Sequence, residues 1–149
     1  MGGTSFSSSS SYSSLSSSTY AYAILKLQVG SSNTGRSLQR DLNRIAESAD
    51  ISTSKGFNYV LQETIVALLW HSDYCISGYS SVTIIVAARG VPDLPLIKSN
   101  EQLKKAFQKL ASISSSNIMG VEVLWTPQKE DDSLTEQQML KDYPLLRPL

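Results

Sequence analysis

The sequence GFNYVLQETIVALLW, residues 56–70, decides the fold because no other stretch of the chain is as long and as apolar. Its apolar residues recur at intervals of three and four, which places them on one face of an α-helix. The residues of this wide face are Phe57, Val60, Leu61, Thr64, Ile65, Leu68 and Leu69. The stretch therefore predicts a central buried helix against which the other elements pack.

Three other stretches have the patterns of β-strands. Residues 22–29 alternate between apolar and polar side chains, and the turn residues at 30–33 predict the end of this strand. Residues 82–88 are a β-branched run typical of a central strand, and residues 118–126 form a third candidate before Pro127. The sequence therefore predicts a small sheet.

Three further helices are predicted around these strands. One covers about residues 34–49, a second follows a capping box that opens at Ser99, and a short third helix follows a box from Ser133 to Glu136. The order of elements predicts an α+β fold, with a small sheet of about three or four strands and helices packed mainly on one face.

Length and composition set the domain organisation. Eleven of the first 19 residues are serine, which predicts a disordered tail over residues 1–19 and a single α+β domain over residues 20–149. The net charge is zero, so we expect no nucleic-acid partner. No apolar run is long enough for a transmembrane helix, and the N-terminus has no clear transit peptide, since no Lys or Arg precedes Lys26.

A stripe of arginines is the first candidate binding surface. Arg36, Arg40 and Arg44 are four residues apart and therefore line one edge of a predicted helix. Such a stripe can grip phosphates, an anionic lipid head group or an acidic partner. The alternative interpretation is a solvated helix face on which the arginines pair with Asp41 or Glu47.

The second face of the central helix is the other candidate. Tyr59, Glu63, Val66 and Trp70 also recur at helical spacing, and apart from Glu63 they are too apolar for open solvent. Either the helix is covered on two sides, or Tyr59, Val66 and Trp70 belong to an interaction surface.

His71 and Cys75 are the single histidine and the single cysteine of the chain. A nearby histidine can activate a thiolate, but no orienting group is readable beside this pair. A zinc site needs about four ligands, and only Asp73 joins these two residues. We therefore predict no catalytic, cofactor-binding or metal-binding residues, and no enzymatic activity.

Five strings of the sequence carry a family resemblance. They are LQRDLNRIAE (38–47), LQET (61–64), HSDYCISGYSS (71–81), VEVLWTP (121–127) and DYPLLRPL (142–149). With these strings the chain resembles the plant and cyanobacterial "domain of unknown function 1517" family over most of residues 20–149. One departure is that Ser81 runs directly into Val82, where the family has a charged, loop-rich segment.

The resemblance implies a function that the residues alone do not show. It implies a non-enzymatic regulatory or interaction domain in the chloroplast, associated with the thylakoid or envelope membrane and with an unidentified protein partner. Its role would be photoprotective control of lumen acidification in fluctuating light. The alternatives are an anion- or lipid-binding module that uses the arginine stripe, a thiol enzyme at Cys75, and a truncated product without independent function.

Overall fold

The computed structural model of the chain describes residues 6–15, 21–33, 36–70, 78–91, 93–94, 96–128 and 134–149. These residues form five strands and four α-helices. In chain order, the elements are β1 (Phe6–Leu15), β2 (Ala21–Asn33), α1 (Arg36–Ser48), α2 (Ser54–Trp70), β3 (Gly78–Arg89), α3 (Asn100–Ala111), a short 3₁₀ turn (Ser115–Asn117), β4 (Ile118–Thr126), α4 (Glu136–Asp142) and β5 (Arg147–Pro148).

The strands form one sheet in the order β4-β3-β2-β1-β5, and every pairing between them is antiparallel. β2 and β3 make the longest ladder, from Tyr22 opposite Arg89 to Asn33 opposite Gly78. β3 lies between β2 and β4, so its apolar run Val82–Ala88 pairs on both sides. This position agrees with the β-branched composition, which suits a central strand.

Three helices cover one face of the sheet. Alternate residues of β2 and β3, such as Leu25, Leu27 and Ile84, point to this face and are fully buried. They meet the apolar sides of α1, α2 and α3 in one main core cluster. The α+β class and the helices on mainly one face are therefore as predicted from the sequence.

The C-terminal part of the chain covers one end of the opposite sheet face. Met139 of α4 and Leu146 are buried in a small second cluster with Tyr79 of β3. The Tyr143 hydroxyl donates to Thr126 Oγ1 at 2.9 Å, which ties the end of α4 to β4. The C-terminal segment therefore packs on the sheet face that points away from the three helices.

The N-terminal tract differs from its prediction. Phe6–Leu15 form β1, which pairs with β2 in register from Phe6 opposite Gly30 to Leu15 opposite Ala21, whereas the serine composition predicted a flexible tail. Strand pairing uses backbone groups, which a serine run has in the same number as any other sequence. The side-chain pattern therefore carries no signal for this strand.

Strand β2 also differs from its prediction, because it continues through the predicted turn at residues 30–33. Gly30 pairs with Ser81, and Asn33 pairs with Gly78. The first residues of β3 thus supply backbone partners that make an extended conformation favourable for turn-forming residue types.

The central helix is confirmed, with one side chain placed differently. Val60, Leu61, Thr64, Ile65 and Leu68 are buried as predicted, but Leu69 is 41% exposed. Ala67 takes the additional buried position in the last turns. The buried face of α2 is therefore rotated slightly relative to the face that the sequence predicted.

The last capping box begins two residues later than predicted. Thr135 Oγ1 accepts from the Gln138 amide at 3.1 Å, and Gln138 Oε1 accepts from the Thr135 amide at 3.0 Å. Leu134 exchanges backbone hydrogen bonds with Tyr79 in an isolated antiparallel bridge. Because this bridge keeps Leu134 extended, the helix cannot begin before it.

Candidate functional site

Two of the three arginines of the stripe lie on the solvent side of α1. Arg40 and Arg44 are exposed, and the Arg44 guanidinium lies 3.8 Å from the Asp41 carboxylate. Arg36 is the first residue of α1, and its side chain lies outside the described part of the structure. The Arg44–Asp41 pair is the contact expected of a solvated face, and it neutralises part of the charge that an anion site would use.

Tyr59 belongs to the interface between α1 and α2. Its hydroxyl lies 3.0 Å from Ser48 Oγ at the end of α1, and its half-buried ring packs against the main core. Tyr59 therefore joins two helices, in contrast to the other two residues predicted on the same surface.

Those two residues, Val66 and Trp70, are exposed at the C-terminal end of α2. The exposed fractions are 45% for Val66 and 72% for Trp70, and Leu69 adds a third apolar side chain between them. Positions 66, 69 and 70 are neighbours on a helix surface. We call Val66, Leu69 and Trp70 the α2 end patch. Such an exposed apolar cluster is typical of a contact surface.

The residues of the thiol hypothesis, His71, Asp73 and Cys75, lie outside the described part of the structure. Within the described ranges, no group of three or more His, Cys, Asp or Glu side chains is close enough together to hold a metal ion. Among the described helices, none combines the length and hydropathy that crossing a membrane requires.

A pocket that the sequence did not reveal lies between α1, α2 and the edge strand β4. Its volume is about 250 Å³, and it is lined by apolar side chains that include Leu42, Ile45, Ala49, Val60, Val121 and Val123. Ile51, which is 67% exposed, stands at its rim. Val121, Val123 and Trp125 were predicted on one face of their strand, but alternation alone does not show that the cover over this face is incomplete.

Two residues that line this α1–β4 pocket each carry a polar atom that is buried. The Thr64 hydroxyl and the Trp125 indole nitrogen are both buried and have no hydrogen-bond partner among the described residues. Nearby, Gln39 Nε2 donates to the Pro127 carbonyl at 3.1 Å and so joins α1 to the end of β4. The pocket thus has a mainly apolar lining, and the two polar atoms lie beneath its surface.

Comparison with known proteins identifies relatives over most of the chain. The sequence is 41% identical over 182 residues to fluctuating-light-acclimation protein 1, chloroplastic, from Arabidopsis thaliana, which covers 85% of this chain and 46% of the relative. It is 30% identical over 186 residues to Protein FLAP1 homolog A from Synechocystis sp., which covers 83% of this chain and 56% of that relative. The chain therefore spans about half the length of these curated relatives. No solved structure gives a significant match.

The alignments also locate an internal shortening. The family model described as "Protein of unknown function (DUF1517)" matches residues 21–83 and 78–149, so residues 78–83 are matched twice. The alignment to the Arabidopsis relative takes in 85% of the 149 residues, which is about 127, so about 55 of its 182 positions have no counterpart here. Together these observations fit a family member that is shortened near the start of β3.

The two family-model matches together cover all of residues 21–149, and both relatives are at least 30% identical to the chain. The chain therefore belongs to the DUF1517 family of proteins of unknown function.

Proposed function

We propose that this chain is a non-enzymatic regulatory domain that acts in the chloroplast during acclimation to fluctuating light. The observation that carries the proposal is the 41% identity to a chloroplast protein named for fluctuating-light acclimation. The cyanobacterial relative, named as a homolog of the same protein, extends the likeness beyond plants. Neither relative's name nor the family description indicates an enzymatic activity.

The α2 end patch is the proposed contact with a protein partner. Trp70 is the most exposed large apolar side chain among the described residues, and Val66 and Leu69 lie beside it. Tryptophan is enriched among the residues that dominate binding energy at protein interfaces. More specifically, we propose that this contact serves the control of lumen acidification at a plastid membrane, and hence photoprotective quenching.

A complementation experiment tests the proposal. A plant line that lacks its own DUF1517 relative receives this full chain behind a chloroplast-targeting leader. Chlorophyll fluorescence quenching is then recorded in fluctuating and in steady light. We expect the chain to restore the wild-type response in fluctuating light. If the protein accumulates in chloroplasts and the response stays that of the mutant line, the proposed function is wrong.

A charge substitution tests the role of the α2 end patch separately. We expect Trp70→Lys to abolish the rescue, because a lysine cannot enter an apolar contact without losing its hydration. The matched control is Leu96→Lys, since Leu96 is 66% exposed and lies elsewhere on the surface. The Leu96→Lys protein should restore the fluctuating-light response as the unmodified chain does. Full rescue by an equally abundant Trp70→Lys protein would exclude the patch as the partner site.

A further inference from the structure

The edge strand β4 has backbone groups that no other described strand uses. β4 pairs only with β3, in a regular antiparallel register from Ser81 opposite Thr126 to Ala87 opposite Gly120. In such a ladder, every second residue of an edge strand directs its N–H and C=O groups away from the partner. Natural proteins protect a long edge with lysine, proline or a covering element, and β4 contains neither lysine nor proline. The edge of β4 can therefore accept a further strand.

The layer of helices does not cover β4 completely. Val86 and Ile84 of β3 face the helices and are fully buried. Val121 and Val123 are their partners on β4, so they face the same side, but they are only half-buried. The two valines line the α1–β4 pocket, whose volume is about 250 Å³. The pocket therefore lies beside the open edge, on the helix side of the sheet.

The opposite side of the same edge carries one charge. Glu122 lies between the two valines, so its side chain points to the other face of the sheet, where it is exposed. It is the only charged residue of β4, and it has no ion-pair partner in the part of the chain that the structure describes. A strand added to β4 therefore meets a carboxylate on one face and an apolar pocket on the other.

These features limit the chemistry of the added strand. Its side chains lie opposite those of β4, so the neighbours of Val121 and Val123 point toward the pocket. A cavity of about 150 Å³ accepts benzene, so a pocket of about 250 Å³ admits a leucine or phenylalanine side chain. The neighbour of Glu122 points to the other face, and a basic residue suits it because opposite charges on directly paired residues attract each other.

A second copy of the chain fits this edge less well. β4 comprises Ile118–Thr126, with Glu122 at its centre. Antiparallel pairing of two β4 strands over their full length therefore places Glu122 of one copy opposite Glu122 of the other. Like charges directly opposite each other destabilise a strand pair. The charge on this edge thus favours a basic partner over self-association.

We propose that β4 binds an extended segment of a partner protein by strand addition, and that this segment carries the pattern apolar-basic-apolar. The basic residue pairs with Glu122, and the two apolar residues cover and enter the α1–β4 pocket beside Val121 and Val123. Backbone hydrogen bonds hold the segment, as they do wherever a peptide joins the edge of a sheet. This surface consists of residues outside the α2 end patch, so the inference is independent of the proposed function.

Amide hydrogen exchange followed by nuclear magnetic resonance tests the proposal on the full chain. The probe is the peptide acetyl-Ser-Thr-Leu-Lys-Phe-Thr-Ser-amide, and its control is the same peptide with N-methyl groups on Leu, Lys and Phe. We expect the probe to slow the exchange of every second amide between Gly120 and Thr126, and the control to bind about tenfold more weakly. The proposal is wrong if the probe leaves exchange in β4 unchanged, if both peptides bind equally, or if the protected amides lie in β1.

An exchange of charges tests the role of Glu122. Glu122→Lys should weaken binding of the probe by about two- to fivefold, which is the contribution of one cross-strand ion pair. It should strengthen binding of a peptide with glutamate in place of the lysine by a similar factor. The matched control is Glu101→Lys, because Glu101 is exposed on α3. A Glu122→Lys protein that still prefers the lysine peptide would contradict the proposed pairing.

A substitution at the mouth of the pocket tests the apolar contact. Ala46 is exposed and lines the pocket, so Ala46→Leu should fill the space and weaken binding of the probe by about tenfold. Glu47→Leu is the matched control, since Glu47 is the next exposed residue of α1 and does not line the pocket. Equal affinity of the Ala46→Leu and wild-type proteins would place the peptide elsewhere and contradict the proposal.

Sedimentation without peptide distinguishes a partner segment from a second copy. We expect a monomer at the protein concentration of the exchange experiment. A dimer in which the same β4 amides are protected would show that a second copy occupies the edge, and would overturn the proposal.

Discussion

At the scale of single residues, Gly56 shows how closely two helices can be joined. A Cβ atom at this position would collide with the backbone carbonyl of Asp50, which belongs to the turn between α1 and α2. Thr53 is in the N-cap position of α2, and Gly56 is the third residue of the helix. The Gly56 amide donates a hydrogen bond to Thr53 Oγ1 at 3.0 Å, which is the usual N-cap contact. The Asp50 carboxylate accepts hydrogen bonds from Ser52, which hold the pKa of this carboxyl below its usual range. A glycine is therefore required where the turn meets α2.

Gly56→Ala should destabilise the protein by about 1–3 kcal/mol. Alanine favours a helix interior by about 1 kcal/mol over glycine, but the collision with a backbone atom outweighs this preference. The matched control is Gly120→Ala, where no atom lies within 4 Å of the new Cβ. The control should change stability by less than about 1 kcal/mol. Urea unfolding followed by circular dichroism measures both, and a Gly56→Ala protein as stable as the wild type would disprove the steric argument.

The sequence does not reveal that Thr64 and Trp125 lie close together. The helical period placed Thr64 on the buried face of α2, and the strand period placed Trp125 beside Val121 and Val123, both correctly. Neither period shows that the two side chains line one pocket, since that depends on how α1 and α2 sit over β4. By contrast, spacing alone placed Val66 and Trp70 on a second face of the helix, and the structure shows that both are exposed.

At the scale of elements, local signals predicted the helices and strands well where side-chain patterns were strong. The predicted strand 118–126 coincides with β4, and the two long helices begin and end within about two residues of their predicted bounds. The capping box at the start of α3 departs from the regular pattern in one hydrogen bond. Gln102 Oε1 accepts from the Lys98 amide at 2.6 Å, one residue before the N-cap, while Ser99 Oγ accepts from the Gln102 amide at 3.2 Å.

Ser99→Ala should lower the free energy of unfolding by about 1 kcal/mol, because the Gln102 amide loses its capping acceptor. Ser116→Ala is the control, since its hydroxyl is exposed and bonds only Ser114 Oγ among the described residues. The control should stay within about 0.5 kcal/mol of the wild type. Equal stabilities of the two variants in thermal unfolding would show that the Ser99 hydroxyl does not cap α3.

The strands show which features the local sequence pattern predicts and which depend on distant partners. Leu25 and Leu27 were recognisable as buried positions from alternation, and Ile84 belongs to the β-branched run that predicted a central strand. β1 was not, because ten residues that are mostly serine have no alternation, and their pairing depends on the free edge of β2. The continuation of β2 past Gly30 also depends on a partner strand that is distant in the sequence.

At the scale of the whole molecule, the shortened chain keeps an unbroken ladder where the family matches overlap. Residues 78–83 are matched twice by the family model, and they form the first half of β3. They pair continuously with residues 28–33 of β2. The strand is therefore regular across the residues where the two family matches overlap.

The central helix α2 contributes to the main core, to the α1–β4 pocket and to the α2 end patch. Val60, Leu61 and Leu68 of α2 belong to the main core, Thr64 lines the α1–β4 pocket, and the end of the same helix bears the α2 end patch. The pocket and the patch therefore both require α2 to be folded against the sheet in the shortened chain.

Hydrogen exchange on the purified chain, followed by mass spectrometry, tests whether α2 is folded against the sheet. The slowest exchange should occur in residues 61–68 of α2 and 82–86 of β3, because their backbone groups are hydrogen-bonded beneath buried side chains. The outer end of α2 near Trp70 should exchange faster. Exchange at the rate of an unfolded chain in both segments would contradict the account and show that the shortened chain does not form this fold alone.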